Sequence, residues 1–416
     1  MITSSYPVRG KERIQELDIL RGWAIFGMLI VNVWVFQSVN LPPLPVQLTQ
    51  VWTETADKVA LWLIDSFASA KFWSLFSFLF GLGFALQMSR AKARGVGFIS
   101  LYRRRLFTLL LIGSVQFLLG PSSVLPTYAV VGFFLLPFRT WSPRLILVVA
   151  VLCFLVGNIR EVLDLRDLEL RRAGQTAQEL TQQDAQREAR RERTVRVYTE
   201  GTFKDVVAYN AGRYAGKYFS LDHYFGALRG EFPLFLLGLY VGRRRVLEDI
   251  PTHLPFIRKV LCWSLGLGVL NLAVNAVFLS LWMNPEFSVS YLIEAGIDML
   301  WRVGAPALGF FYAAVIVILA QREAWKRRLA PLAAIGRMAL SNYLLHTLIL
   351  LILFNNFGLY GKIGPAMGLA VAVALYAFLV VLSLGWMRRF RFGPAEWLWR
   401  TITYGKLQPM RVHKGP

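Results

Sequence analysis

Three groups of polar side chains interrupt long apolar stretches of this 416-residue chain. They are where acid–base or binding chemistry is expected. Asp18 and Arg21 stand one helical turn apart in LDILRGWAIFGMLIVN, with Asn32 deeper in the same run. An arginine at a helix start faces the positive pole of the helix, so something negative must compensate. Asp18 is one candidate and an anionic ligand is the other. A plain anchoring ion pair is the simpler reading, and Asn32 reads most simply as interhelical glue. Glu294, Asp298 and Arg302 recur at every fourth residue and share one helical face. Asp298 and Arg302 can pair, which leaves Glu294 as a carboxylate able to titrate. That suits proton handling or a polar substrate path as well as it suits structure. His346 lies within an apolar run, with Asn342 one turn before it. It could shuttle protons near neutral pH if a partner stands within reach. An interhelical hydrogen bond is the blander alternative. His223 adjoins Asp222 in SLDHYFG, but neighbours on a helix point apart.

The elements that must position these groups are hydrophobic helices. The chain is 56% apolar and 17% charged, with a formal net charge of +21. Soluble domains carry roughly 25% charged residues. This much apolar content excludes disorder, and two cysteines exclude a disulfide scaffold. Cys153 and Cys262 read as small core hydrophobes. Spanning helices are expected over 19–39, 72–88, 254–283, 291–320, 329–355 and 363–387, with shorter candidates at 106–120, 124–138, 145–159 and 225–242. The fold expected is an all-α polytopic bundle of about ten transmembrane helices. Of the 46 Lys+Arg, 29 fall in segments placed on one side, and only Lys58, Lys71 and Lys362 in the short segments opposite. The positive-inside bias then puts both termini on the cytoplasmic side. Anionic lipids become the partners of the basic charge, and no nucleic acid is needed.

The organisation expected is an N-terminal membrane region over 1–161, a charged extracytoplasmic loop over 162–227, a second membrane region over 228–390, and a cytoplasmic tail over 391–416. Residues 56–70 read as an interfacial helix. Residues 160–196 interleave Glu and Arg in the pattern of a solvated helix, and 198–225 turn Tyr- and Gly-rich, like a lid on the membrane surface. FLFGLGFAL reads as close helix packing by small residues. There is no P-loop, no H-E-x-x-H and no G-x-S-x-G, so ATP-driven transport, a zinc site and an embedded hydrolase triad are not expected. No metal is expected.

Several blocks resemble the YeiB-like family of bacterial multi-pass membrane proteins: LDILRGWAIFGMLIVNVWVF, KFWSLFSFLFGLGFALQMSRA, VYTEGTFKDVVAYNAGR, GRMALSNYLL, and the Gly-Pro-x-Glu-Trp-x-Trp-Arg core of FGPAEWLWRTITYGKLQPMR. The resemblance covers nearly everything except roughly 160–195. That family is similar to a broader group of transmembrane acyltransferases, including the lysosomal enzyme that acetylates heparan sulfate. Their Asp-x-x-Arg-Gly opening and following Asn correspond to Asp18, Arg21, Gly22 and Asn32. The resemblance implies acyl transfer from a cytoplasmic donor such as acyl-CoA to a polar or lipid-linked acceptor, with Arg21 meeting donor phosphates. Two departures matter. Gln116 and Ser123 stand where many members carry His and Asp, and His346 stands where many carry Gln. The lysosomal enzyme's reactive His follows helix one, yet 37–71 has none. Either His346, with Asn342, or His223 then substitutes as the base, or the chain does different chemistry or none; Glu294, Asp298 and Arg302 are assigned to a polar cavity. A proton- or cation-coupled transporter using Glu294 and Asp298 is the alternative, and a non-catalytic scaffold is the third.

Overall fold

The computed structural model describes residues 13–37, 52–95, 97–120, 123–282 and 291–412, and the fold is all-α. In chain order the helices are α1 (Gln15–Gln37), α2 (Thr55–Leu63), α3 (Lys71–Ala93), α4 (Phe98–Leu119), α5 (Leu125–Phe133), α6 (Pro143–Ala173), α7 (Ala177–Glu200), α8 (Phe203–Tyr218), α9 (Leu221–Arg243), α10 (Ile250–Trp282), α11 (Tyr291–Leu319), α12 (Glu323–Arg328), α13 (Ala330–Arg337), α14 (Ala339–Asn356), α15 (Pro365–Arg389) and α16 (Pro394–Tyr404). The chain is a multi-pass membrane protein. Among the described residues, six segments are long and apolar enough to cross a bilayer, or seven if α13 and α14, bent by 81°, form one span. The other three expected spans fall on α4, α5 and α9. Helix α4 carries Arg103, Arg104 and Arg105, α5 has nine residues, and α9 contains Arg229 and Glu231. Each packs against other helices, so none needs an apolar surface all round.

Close backbone approach holds the centre together. A Cβ at Gly22 would lie 2.0 Å from the Leu332 carbonyl oxygen, and one at Gly336 would lie 1.8 Å from that of Asp18. Only hydrogen on both helices lets α1 and α13 cross this tightly, as small residues do at membrane interfaces. FLFGLGFAL behaves as its spacing predicts: Gly81 abuts Phe235, and Gly238 on α9 abuts Phe78 on α3. Buried Ile25, Leu29 and Val33 of α1 join Leu350 and Phe354 of α14 in one core cluster. Helix α1 thus packs on elements of both predicted membrane regions.

The periphery is different. Leu152 and Val156 on α6, Trp263 and Val277 on α10, and Val381 on α15 are all exposed. Cys262 is exposed as well, and Cys153 is half-buried. Reading Cys262 as core therefore fails for a physical reason. In a bilayer the lipid-facing surface is as apolar as the interior, so an apolar run does not say which side its cysteine takes.

Outside the bundle, α6 runs on to Ala173 and α7 follows, largely exposed, with ion pairs Arg187–Asp184 and Arg191–Glu188 three residues apart. This is the solvated helix expected there. Thr202 caps α8, whose Asn210 donates to the Leu118 carbonyl at 3.1 Å, so α8 lies against the end of α4. Residues 56–70 form α2 and a π-helical turn, Ile64–Ala68. Asp57 accepts from the Ala366 N–H at 2.9 Å and fixes the start of α15.

Candidate functional site

A cavity of about 290 Å³ opens where α1, α3, α4, α13 and α16 meet. Its mouth is lined by Arg13, Arg21, Arg90, Arg94, Arg105, Arg337 and Arg400. Two carboxylates stand among these seven arginines. Asp18 is buried; Arg13 donates to it, and Arg21 Nη1 lies 3.7 Å away. The expected Asp18–Arg21 pair therefore exists, but Asp18 is shared with Arg13. The second carboxylate is Glu396. Arg105, Arg337 and Arg400 are held largely by other means. Arg105 stacks over the Trp399 ring at 4.0 Å, Arg400 over Phe392 at 4.5 Å, and the buried Nε of Arg337 has no hydrogen-bond partner. Gly83 faces Arg21, where a Cβ would lie 3.6 Å from Nη2. Beyond the mouth is a wider polar vestibule of about 700 Å³ that shares Arg13, Arg90 and Arg94.

Helix α16 closes one side of the mouth, and its sequence explains how. Gly393 starts it, because a Cβ there would meet Glu396 Oε2 at 2.3 Å and Ser341 Oγ at 2.4 Å. Pro394 occupies the first turn, where no backbone hydrogen bond is lost. Glu396 accepts from the N–H groups of Leu340 at 2.6 Å and Ser341 at 3.2 Å, and so caps α14. Burial pushes its carboxyl above the ordinary range, opposed by these donors. Trp399 Nε1 donates to the Arg105 carbonyl at 2.9 Å, and Trp397 Nε1 to that of Gln408 at 2.8 Å. The Gly-Pro-x-Glu-Trp-x-Trp-Arg stretch is a clasp that delivers Arg400 to the mouth.

Inward, the cavity becomes an apolar gallery of Met28, Phe76, Leu79, Phe80, Leu109 and Leu125. From Arg90 to Phe76 it follows about 21 Å of α3 at the helical rise. Its inner part abuts a buried polar cluster through Tyr343. Asn32 Nδ2 lies 2.7 Å from His346 Nε2, and His346 Nδ1 lies 3.0 Å from the Asn342 carbonyl oxygen. Gln116 Nε2 donates to Thr347 Oγ1 at 2.9 Å, and Ser123 Oγ donates to Gln116 Oε1 at 2.9 Å. The two departures from the family pattern, Gln116 and His346, thus belong to adjoining parts of one network.

The sequence candidates divide cleanly. Arg21 lines the cavity with Asp18 beside it, and Asn32 and His346 lie in the buried cluster behind Tyr343. Asn342 supplies only its carbonyl to His346. Its side chain turns to the Ile335 carbonyl at 3.2 Å and Ser383 Oγ at 2.9 Å, bracing the α13–α14 bend. Glu294, Asp298 and Arg302 do not line this cavity. Glu294 is exposed, and Arg302 pairs with Asp298 at 2.8 Å and with Glu161 of α6 at 2.9 Å. The second acid beside Arg302 is therefore Glu161, supplied by another helix, rather than Glu294 on its own. His223 accepts from or donates to Thr127 at 2.9 Å, apart from Asp222. Sequence reasoning missed Arg105, Arg337, Arg400, Glu396 and Tyr343. The Arg103–Arg105 run opening an apolar segment, and the tail motif ending in Arg400, were the available signals.

Comparison with known proteins places the chain among uncharacterised relatives. The family described as Protein of unknown function (DUF418) matches residues 241–406. YxaH of Bacillus subtilis (strain 168) is 34% identical over 424 residues, covering 98% of both chains. A 39.9 kDa protein in the amylase 3' region of Bacillus acidopullulyticus is 27% identical, covering 98% of this chain and 99% of its own. YeiB of Escherichia coli (strain K12) is 27% identical, covering 94% and 96%. No solved structure matches. With such identity sustained from end to end, the chain belongs to the DUF418 family of YeiB-like membrane proteins.

Proposed function

We propose that this protein resides in the bacterial cytoplasmic membrane and transfers an acyl group from acyl-CoA, bound from the cytoplasm, to a polar or lipid-linked acceptor. One observation carries the reading: a mouth of seven arginines opens directly onto a narrow apolar gallery. Guanidinium groups match phosphate oxygens in geometry and stay charged at every physiological pH. An apolar channel behind them suits a ligand that is polyanionic at one end and uncharged at the other. A coenzyme A thioester has that form. Arg21, Arg105, Arg337 and Arg400 then meet the phosphates, and the pantetheine arm enters the gallery.

The transporter alternative rested on Glu294 and Asp298 sharing a cavity. The ion pair with Arg302 gives Asp298 a structural use instead, and Glu294 is exposed rather than set in a shared cavity. The test is incubation of the purified protein with radiolabelled acetyl-CoA and a membrane extract, comparing wild type with Arg21→Ala. Label transfer by wild type and its loss in the variant is the expected result. Equal transfer by both removes the arginine assignment, and no binding of any acyl-CoA removes the enzyme reading. Orientation is checked separately: an alkaline phosphatase fused to the C-terminus should be inactive.

A further inference from the structure

Resting on the acyl-transfer reading above, we propose that Tyr343 donates the hydrogen bond to the acyl carbonyl, and that His346 is a positioning residue acting through Asn32. A backbone carbonyl only accepts, so the Nδ1 that faces the Asn342 oxygen at 3.0 Å carries the ring hydrogen. The neutral ring keeps its lone pair on Nε2, and the Asn32 amide, 2.7 Å away, donates to it. A general base needs that lone pair directed at the proton it removes. Here it is filled from within the protein, and the side chain is fully buried. What the imidazole achieves is to hold the Asn32 amide in one orientation.

Tyr343 is the residue of this cluster that lines the cavity. Its hydroxyl is neighboured by the backbone of Val124 and the side chains of Gln116, Ser123 and Asn32. Asn32 gives one amide hydrogen to His346 and Gln116 gives one to Thr347, so each retains a second. The phenol oxygen is an acceptor toward these two amides, whereas Ser123 has given its hydrogen to Gln116 Oε1. The phenol's own hydrogen can go to Ser123 Oγ or, once a ligand is bound, to a recipient in the cavity. The position also selects the donor class. Asn32, beside Tyr343, lies about 16 Å along α1 from Arg21. In an acyl phosphate or a phospholipid the ester carbonyl is only a few bonds from phosphorus. A coenzyme A thioester separates the two by its long arm.

In the transfer step the acceptor's hydroxyl oxygen forms a bond to the thioester carbon, and the carbonyl oxygen takes up negative charge. Tyr343 stabilises that charge with its O–H and keeps the hydrogen throughout. The carbon–sulfur bond then breaks, the carbonyl re-forms, and the departing thiolate ends as the thiol with the proton released by the acceptor.

The experiment measures two quantities on the purified full-length protein: retention of radiolabelled acetyl-CoA or octanoyl-CoA, and thiol release from the same compounds with a membrane extract. Tyr343→Phe should bind within about twofold of wild type yet release thiol on the order of 10²–10³-fold more slowly, as when one oxyanion donor is removed. His346→Gln offers an amide oxygen to Asn32, so it should keep most of the activity with an unchanged pH profile, whereas His346→Ala should not. Thiol release by Tyr343→Phe within about threefold of wild type overturns the Tyr343 assignment and leaves acyl transfer standing. An inactive but folded His346→Gln, or one that loses a limb of the pH profile, makes His346 the base and overturns the positioning role. Wild-type protein that neither binds nor cleaves either thioester overturns the acyl-transfer reading itself.

Discussion

Two of the places where this bundle puts charged side chains inside apolar helices differ in what surrounds the charge. On the flank, Arg302 is matched by Asp298 and Glu161, all roughly one-third exposed. At the mouth, seven arginines enclose a cavity with two carboxylates among them. The flank is neutralised by its own neighbours and needs nothing more. The mouth keeps a net positive charge in a confined space, where an incoming anion would offset the desolvation of Arg105, Arg337 and Arg400. An ionisable residue in a span is a lead to function only when the fold denies it a full set of partners.

The comparison can be broken, or sharpened, in order of effect. The largest should come from removing two cations at the mouth. Arg21→Ala combined with Arg400→Ala should weaken acetyl-CoA retention on the order of 10²–10⁴-fold, since a hydrogen bond to a charged group contributes about 1.5–3 kcal/mol. Retention close to wild type would equate the mouth with the flank. Next is the clasp. Gly393→Ala forces a methyl group against Glu396 and Ser341, and overpacking of this kind costs about 1–3 kcal/mol. Thermal unfolding in detergent should show the loss, with weaker thioester binding because Arg400 moves.

A smaller effect is expected from pH. Burial raises the Glu396 carboxyl, so the folded protein holds that proton more tightly than the unfolded chain does. By linkage its contribution favours folding at low pH, and stability falls as pH rises from the ordinary carboxyl range through the raised value. A protonated Glu396 also leaves the mouth more positive. Acetyl-CoA should bind about fivefold more tightly below that transition, for one charge felt through a partly screened medium. Glu396→Gln should flatten this dependence relative to wild type, and an unchanged titration would remove Glu396 as its source. The smallest effect belongs to the flank. Arg302→Met should change acetyl-CoA retention by less than about twofold and stability by about 1 kcal/mol or less. A large loss of binding there would restore a role for α11.

Much of the architecture was legible because a bilayer enforces it. Long apolar runs have to be helices, and the glycines of FLFGLGFAL announced a close crossing. Asp18 and Arg21 were legible because four residues of one helix suffice to bring them together. Arg105, Arg337 and Arg400 were not. They come from α4, α13 and α16, and only the tertiary packing of helices far apart in the chain points them at one space. Tyr343 was hidden for another reason: tyrosines are common near membrane interfaces, so its residue type carried little information. Cys262 and Glu294 show the complementary limit, because periodicity finds a face but not whether that face meets protein or lipid.

The clasp has a consequence for how the molecule is made. Helix α16 follows every other element of the mouth in chain order, so the ribosome releases it after the rest have entered the membrane. Until then the arginines of α1, α3 and α4 share a solvent-open basin, and the first turn of α14 lacks its Glu396 cap. Completion of the arginine-lined mouth is thereby tied to completion of the polypeptide this far. A chain that stalls before Gly393 would carry all of its apolar spans and an open, unguarded mouth, distinguishable from the finished protein by a protease or chaperone that samples the basic face.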